Sequence, residues 1–427
     1  MSDTLLATAS PSRLPLVGSF ESLARKAVRA RLRALTEGSL TVVDGDRRDV
    51  FGTTGSDLQA EIVVHDPRFY TALAFRGSVG AGEAHAQGWW DSDDLVTVIR
   101  LCVRNRALLE GIDSGLARIA GPFLRAYHSL RSNTKEGSRK NIAAHYDLGN
   151  DFFELFLDDT MTYSCGIFAD ETTTLREASV AKLDRACRKL QLRPDDHLLE
   201  IGTGWGSLAL HAAERYGCRV TTTTISAEQH ALASERIAQA GLTDRVTLLL
   251  EDYRDLTGRY DKLVSIEMIE AVGHQYLDTY FRTCSDRLAP DGLMLLQAIT
   301  IQEQQWKQQV SSIDFIKRHV FPGSCLLSVA TIADAVARVT DLKPVQLEEI
   351  GPHYTRTLRA WGDRLRAHRD EALRRGYSEE RIRAWEFYLA YCEGGFAERY
   401  LGDVQVLLAK PDSRHDLALP NLSGAVS

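Results

Sequence analysis

Apolar positions in the second half of the chain alternate between short continuous runs and helical spacing. His197 to Ile201 predicts a strand, 206–216 a helix stopped by Gly217, and 218–225 a second strand. Residues 228–240 then predict a helix, and 246–250, 261–267 and 292–299 further strands. Apolar strands separated by single helices make the βαβ rhythm of a doubly wound parallel sheet. The expected fold class is therefore α/β, a Rossmann-like domain.

The first half is patterned differently. Phe20, Leu23, Val28, Leu32 and Leu35 recur at roughly helical spacing, while Arg25, Lys26, Arg29, Arg31 and Arg33 crowd the remaining face. Such a basic amphipathic helix is either an ordinary surface helix with solvated charges or a contact for anionic lipid headgroups. Residues 39–65 alternate like strands around turn residues, and a glycine-rich stretch from Gly77 to Glu83 leads to Gly88-Trp89-Trp90 and a helical run through Leu95, Val98, Ile99, Leu101 and Cys102. These patterns divide the chain into a lead-in expected to be disordered (1–19), a small α+β domain (20–130), a charged linker (131–140), an α/β domain (141–412) and a C-terminal tail (413–427).

Composition narrows the class. The 427 residues are 44% hydrophobic and 26% charged, near the globular average, with length enough for two domains. Fifty-one basic against 58 acidic residues leave a net charge of −7, which argues against a nucleic-acid partner. Seven cysteines stand singly, with no CxxC pair and no Cys/His spacing suited to zinc, so no metal is expected and the thiols read as reduced, in a cytoplasm. No run of 18 apolar residues occurs and the first twenty residues lack the order of a secretion signal, so membrane contact is expected to be peripheral.

The strongest chemical signal is Leu198-Leu199-Glu200-Ile201-Gly202-Thr203-Gly204-Trp205-Gly206, an acid and three alternating glycines where the first strand turns into the first helix. Glycines there let backbone approach a ligand at the carboxyl ends of the strands. The spacing is neither G-x-G-x-x-G nor a loop ending in Gly-Lys-Ser/Thr, so it fits neither a dinucleotide nor a phosphate cradle. It resembles instead the first motif of S-adenosylmethionine methyltransferases of class I.

Longer motifs sharpen the resemblance. Asn141 to Phe153 (NIAAHYDLGNDFF) with Met161-Thr162-Tyr163-Ser164-Cys165 resembles the entrance segment of cyclopropane fatty acyl phospholipid synthases, relatives of the mycolic acid cyclopropane synthases. Asp252 to Asp255, Glu267-Met268-Ile269-Glu270, Phe321-Pro322-Gly323, His353-Tyr354 and Tyr388 to Cys392 follow in the same order, so the resemblance spans about 75–410. It implies methylenation of acyl-chain double bonds in membrane phospholipids. The donor, S-adenosylmethionine, would be held by Tyr163, Ser164, Glu200, Gly202, Gly204, Gly206, Thr224, Gln229 and Tyr253.

The resemblance also implies the ring-closing base: a bicarbonate gripped by Cys165, Glu270, Gln297, Tyr354 and the amide of Ile299, with Cys392 nearby. Two positions depart from the family, Gln297 and Ala271 standing where histidine is usual. Glutamine can donate to an anion but cannot pass on a proton near neutral pH. If the base is displaced, the carbocation could resolve to a methylene-branched or methyl-branched chain instead of a ring. Aromatic residues near the entrance segment read as acyl-chain packing, with cation stabilisation as the alternative. His145 and His353 read as structural hydrogen-bonders. A methyltransferase of a small soluble molecule and an inactive lipid binder are the competing functions. The resemblance further implies a homodimer working at the inner face of the membrane.

Overall fold

The computed structural model describes residues 15–106, 133–138 and 149–415, the side chains of 15–20 excepted. The chain splits into two compact units, Met1–Gly121 and Pro122–Ser427. The first fourteen residues, residues 107–132 and 139–148, which include the expected entrance residues 141–148 with His145, and the tail beyond 415 lie outside the described residues.

In the first unit, helix α1 (Pro15–Leu32) precedes a sheet of β1 (Ser39–Asp44), β2 (Arg47–Gly52), β3 (Gln59–Val64) and β4 (Trp90–Asp91), ordered β2-β1-β3-β4. Helix α2 (Arg68–Ala86) joins β3 to β4, and α3 (Leu95–Arg104) follows. The helix starts at Pro15 and not near Phe20, a residue type whose fixed φ suits a first turn. Its buried stripe is Ala24, Val28 and Leu32, a strict i, i+4 ladder, which leaves Leu23 62% exposed. Arg29, expected on the solvated face, is buried and ion-paired with Asp49 and Asp44. The glycine-rich stretch is helical too: α2 runs through it with a kink at Gly77 (φ +52°), and Gly80 packs so tightly on the Ala72 carbonyl that no Cβ fits. Close packing explains Gly80, and the kink explains Gly77.

The second unit is the expected Rossmann-like α/β fold. Its elements are α4 (Leu175–Lys189), β5 (His197–Ile201), α5 (Ser207–Tyr216), β6 (Arg219–Thr223), α6 (Ala227–Gln239), β7 (Val246–Leu249), β8 (Tyr260–Ile266), α7 (Leu277–Arg287), β9 (Leu288–Ile301), α8 (Val329–Val339), β10 (Lys343–Glu349), α9 (Gly351–Ala367), α10 (Glu379–Ala397) and β11 (Leu401–Ala409). The sheet runs β10-β11-β9-β8-β5-β6-β7, parallel from β9 to β7, with β11 antiparallel to both β9 and β10. Successive residues feed opposite cores. Leu199, Leu263, Leu296 and Leu408 pack with α7 and α8, whereas Leu198, Val264, Leu295 and Leu407 pack with α4 and α5. Both faces are covered, which is why the strands read as continuous apolar runs.

Chain order reverses between β5 and β8, and their carboxyl ends therefore open a crevice where open α/β sheets bind ligands. The residues just past those ends are Gly202 and Glu267. One expectation fails here: 133–138 is no free linker, because Asn133 and Ser138 are buried and Asn133 Nδ2 donates to the Gly323 carbonyl at 2.8 Å. Its two end residues serve hydrogen bonds, while Thr134, Lys135 and Glu136 between them are exposed.

Candidate active site

At the switch point lies a cavity of about 300 Å³. Its donor-binding end is made by the β5–α5 turn. Gly202, Gly204 and Gly206 adopt φ of +103°, +54° and +88°, and the amides of Gly202 and Thr203 both donate to the Thr223 carbonyl of β6. Only glycine takes these angles without strain, and at Gly204 nothing lies within reach of an added Cβ. The loop is thus a backbone cradle open toward the cavity.

Polar groups around it are tied down. Thr222 donates to Glu200 at 2.6 Å and shares a 2.7 Å hydrogen bond with Thr203, so this member of the threonine run does more than favour a strand. Burial lifts the Glu200 carboxyl to about 8, against smaller opposing effects of Thr222 and Lys182. At the end of β6, Thr224 donates to Gln229 at 2.8 Å, and Ser226 caps α6. The Lys182 ammonium, buried on α4, donates to Ser164 at 2.8 Å, and the Tyr163 and Tyr388 hydroxyls lie 3.0 Å apart. The Tyr253 hydroxyl is buried on the cavity wall without a partner. An open glycine cradle, an orphaned hydroxyl and fixed polar groups suit a nucleoside-bearing donor such as S-adenosylmethionine.

The other end combines apolar surface with acids. Ile316, Phe321, Leu326, Cys392, Phe396 and Leu401 supply the apolar wall. Phe152, Phe153 and Phe156 are fully buried against Trp385 in the core behind it, the first two edge-on, so they pack against protein and not against the acyl chain that the sequence suggested. Burial keeps the Cys392 thiol protonated, far above its ordinary range.

The acids come from three places. Glu267 follows β8 with φ +46°, an unusual angle for a residue with a side chain. Its Oε1 accepts from the Cys165 amide at 2.9 Å and from Gln297 Nε2 at 2.7 Å, and its Oε2 accepts from the Tyr354 hydroxyl at 2.6 Å. Glu270 Oε1 accepts from the Ile299 amide at 2.6 Å, while Oε2 is buried without a partner. Asp403 on β11 accepts from Gln297 Nε2 at 3.0 Å. Burial raises all three carboxyls, Glu270 to about 8 and Asp403 most strongly, because it also faces the charge of Glu267. Asp403 is therefore the more strongly raised of the pair, and Glu267, with three donors on it, the one that ionises more readily.

Gln297 is oriented from behind. Lys189, buried on α4, donates to Gln405 Oε1 at 2.7 Å, and Gln405 Nε2 donates to Gln297 Oε1 at 3.0 Å. Ammonium groups only donate, so this chain fixes both amides and turns Gln297 Nε2 toward the acids.

Of the residues singled out from sequence, Tyr163, Ser164, Glu200, Gly202, Gly204, Thr224, Gln229, Tyr253, Glu270, Ile299, Tyr354 and Cys392 line this one cavity. Gly206, Cys165 and Gln297 stand behind its wall: Gly206 caps α5, and the Cys165 thiol donates to the Gly166 and Ile350 carbonyls at 3.3 and 3.7 Å. His353 accepts from the Phe168 amide at 3.3 Å, in keeping with a structural role. Lys182, Glu267, Tyr388 and Asp403 were not singled out by the sequence reading. Glu267 and Tyr388 left a signal, each inside a quoted motif, Glu267 directly after an apolar strand.

The fold and cavity define a class I S-adenosylmethionine-dependent methyltransferase. The family profile described as mycolic acid cyclopropane synthetase matches residues 133–406, and the chain belongs to that family. The tuberculostearic acid methyltransferase UfaA1 of Mycobacterium tuberculosis is 36% identical over 421 residues, 96% of each chain. The cyclopropane-fatty-acyl-phospholipid synthase of Escherichia coli K12 is 36% identical over 353 residues, covering 82% of this chain and 88% of that one. Among solved structures, the mycolic acid cyclopropane synthase CmaA1 complexed with SAH and CTAB superposes with TM-score 0.60 at 32% identity, over 64% of this chain and 98% of its own.

Proposed function

We propose that this enzyme transfers a one-carbon unit from S-adenosylmethionine to the double bond of unsaturated acyl chains of membrane phospholipids and closes a cyclopropane ring. The observation that carries this reading is one cavity with a glycine cradle and polar clamp at one end and an apolar, aromatic wall with acids at the other. S-adenosylmethionine, when bound, supplies an electrophilic methyl group. Gly202, Gly204, Tyr163, Ser164, Thr224, Gln229 and Tyr253 hold and orient the donor, while Phe321, Phe396 and Leu401 exclude water from the poorly nucleophilic alkene. Bicarbonate is not part of this reading, since the donors that the resemblance assigns to it already bond Glu267 and Glu270.

A second reading keeps donor and substrate but yields a methyl-branched or methylene-branched chain. It is favoured by the relative that matches this chain end to end, which is named a fatty acid's methyltransferase and not a ring synthase. Purified enzyme incubated with the donor and mono-unsaturated phospholipid vesicles decides. A gain of one methylene mass with cyclopropane proton signals supports the ring, the same gain with olefinic methylene signals supports the branch, and no gain overturns both.

No helix among the described residues is long and apolar enough to cross a membrane. The reading places the enzyme in the cytoplasm, as a homodimer held peripherally on the inner leaflet through the exposed bases Lys26, Arg31 and Arg33 of the first unit. Each such base contributes about 1 kcal/mol near an anionic surface. Reversing all three to Glu should weaken sedimentation with anionic vesicles by at least about tenfold, and unchanged binding would remove this role for α1.

A further inference from the structure

A ring can close only if something takes a proton from the transferred methyl group, and the acids at the β8 end differ in their fitness for that task. Glu270 is bonded through one oxygen only, and at neutral pH burial keeps it largely protonated. Glu267 lines the same cavity, immediately past the carboxyl end of β8 at the topological switch, opposite Gly202 of the donor cradle. Three neutral donors hold its two oxygens: the Cys165 amide, Gln297 Nε2 and the Tyr354 hydroxyl. Asp403 is hydrogen-bonded to the same carboxylate, which offers about four lone-pair positions in all.

The groups that the resemblance assigns to bicarbonate do not fit it here. Tyr354 and Gln297 already donate to Glu267, the Ile299 amide donates to Glu270, and the Cys165 thiol points to backbone carbonyls behind the wall. A further anion would stand among three buried carboxyls, with Lys182, itself bonded to Ser164, as the buried cation acting on Glu267. The backbone adds a second sign of purpose. A side chain at φ +46° carries strain that persists where the surroundings demand that residue.

We propose that the Glu267 carboxylate, held by Cys165 N, Gln297 Nε2 and Tyr354 Oη, is the catalytic base of this enzyme and does the work of a bound bicarbonate. The inference rests on the reading of the enzyme as an acyl-chain methyltransferase. As the carbon–sulfur bond breaks, its electron pair stays on sulfur, and the alkene π pair forms the new bond to the methyl carbon, leaving a cation on the neighbouring carbon. Glu267 Oε2 takes a proton from that methyl group, and the freed C–H pair closes the ring onto the cation. The products are S-adenosylhomocysteine, the cyclopropane chain and one proton, carried by Glu267 until it returns to water. Asp403, Gln297, Gln405 and Lys189 are positioning residues behind it.

The test compares wild type and Glu267→Gly, each in carbon-dioxide-depleted buffer with and without added bicarbonate or formate. Glycine suits the positive φ, so the variant relieves strain while opening a carboxylate-sized space. Wild-type turnover should be the same in both buffers. Glu267→Gly should lose about a hundredfold in turnover, as for removal of a general base, keep the donor dissociation constant, and regain activity with added bicarbonate or formate. Glu267→Gln, which fills the space, should lose as much and show no rescue. Wild type that stalls without bicarbonate and recovers with it overturns the proposal, as does a Glu267→Gln variant of normal turnover. A wild type that modifies no acyl chain under any condition overturns instead the reading on which the proposal rests.

Discussion

The two ends of the cavity are built by opposite means. The donor end is backbone: three glycines within five residues, bent through positive φ and pinned to one carbonyl of β6. The acid end is side chains, with Glu267 after β8, Gln297 on β9, Tyr354 on α9 and Asp403 on β11 meeting across the sheet edge. A cradle of backbone binds with little dependence on any side chain's charge, whereas a cluster of buried acids sets reactivity through charges that depend on every neighbour. Donor affinity and turnover should therefore separate by mutation. Glu267→Gln should lower turnover about a hundredfold with donor affinity unchanged. Gly202→Ala should do the reverse. Its φ of +103° makes any side chain strained, and the added Cβ would sit 3.1 Å from Met268. That strain, of order 1–3 kcal/mol, should weaken donor binding about tenfold or more, with turnover at saturating donor within a few-fold of wild type. Calorimetric titration of donor beside vesicle turnover reads both, and equal loss in both quantities for either variant would break the contrast.

The same division governs what the sequence discloses. The glycine cradle, the β5 and β6 strands and the cap at Gly217 are local, set by neighbours within a few positions, and the sequence marks them to within a residue or two. Periodicity failed where packing overrode it. Helix α2 continues through Gly77 to Glu83 because Gly80 admits close backbone contact, and Arg29 is drawn inward by Asp44 and Asp49 from strands that no helical wheel contains. Glu267 was visible as a letter in a motif, but its meaning comes from Tyr354 and Gln297, each brought to it by the fold. Gln297, conspicuous because it replaces histidine, is explained only by the chain Lys189–Gln405–Gln297, which no local pattern encodes.

A smaller effect sharpens the acid end. The Tyr354 hydroxyl donates to Glu267 Oε2 and so favours its ionised form, opposing the larger upward push of burial. Tyr354→Phe removes that donor without opening a cavity, and the pKa of Glu267 should rise. A base works only when deprotonated, so the acid limb of the turnover–pH profile should move to higher pH, with turnover above the limb falling by less than about tenfold. The limb must be followed in turnover, since donor binding is not expected to share it. A profile that keeps its position would mean that the limb belongs to another group.

Glu270→Gln should have the least effect on rate, and it separates the two neighbouring acids. With its carboxyl lifted to about 8, Glu270 is largely protonated near pH 7, and glutamine copies the shape and neutrality of that form, including the oxygen that accepts from the Ile299 amide. Turnover near neutral pH should fall by less than about tenfold, a small loss beside that of Glu267→Gln. Stability shows the difference instead. A carboxyl raised from 4.5 to about 8 in the folded state contributes fully below its unfolded value, and the contribution is lost as pH rises through the folded one, because the buried group must then ionise or the chain unfold. Glutamine cannot ionise. The melting temperature of Glu270→Gln should therefore decline less than that of wild type between slightly acidic and alkaline pH, the two curves diverging as they approach the folded value. Parallel curves would mean that Glu270 is already charged in the folded enzyme, and both acids at the end of β8 would then compete for the role given to Glu267.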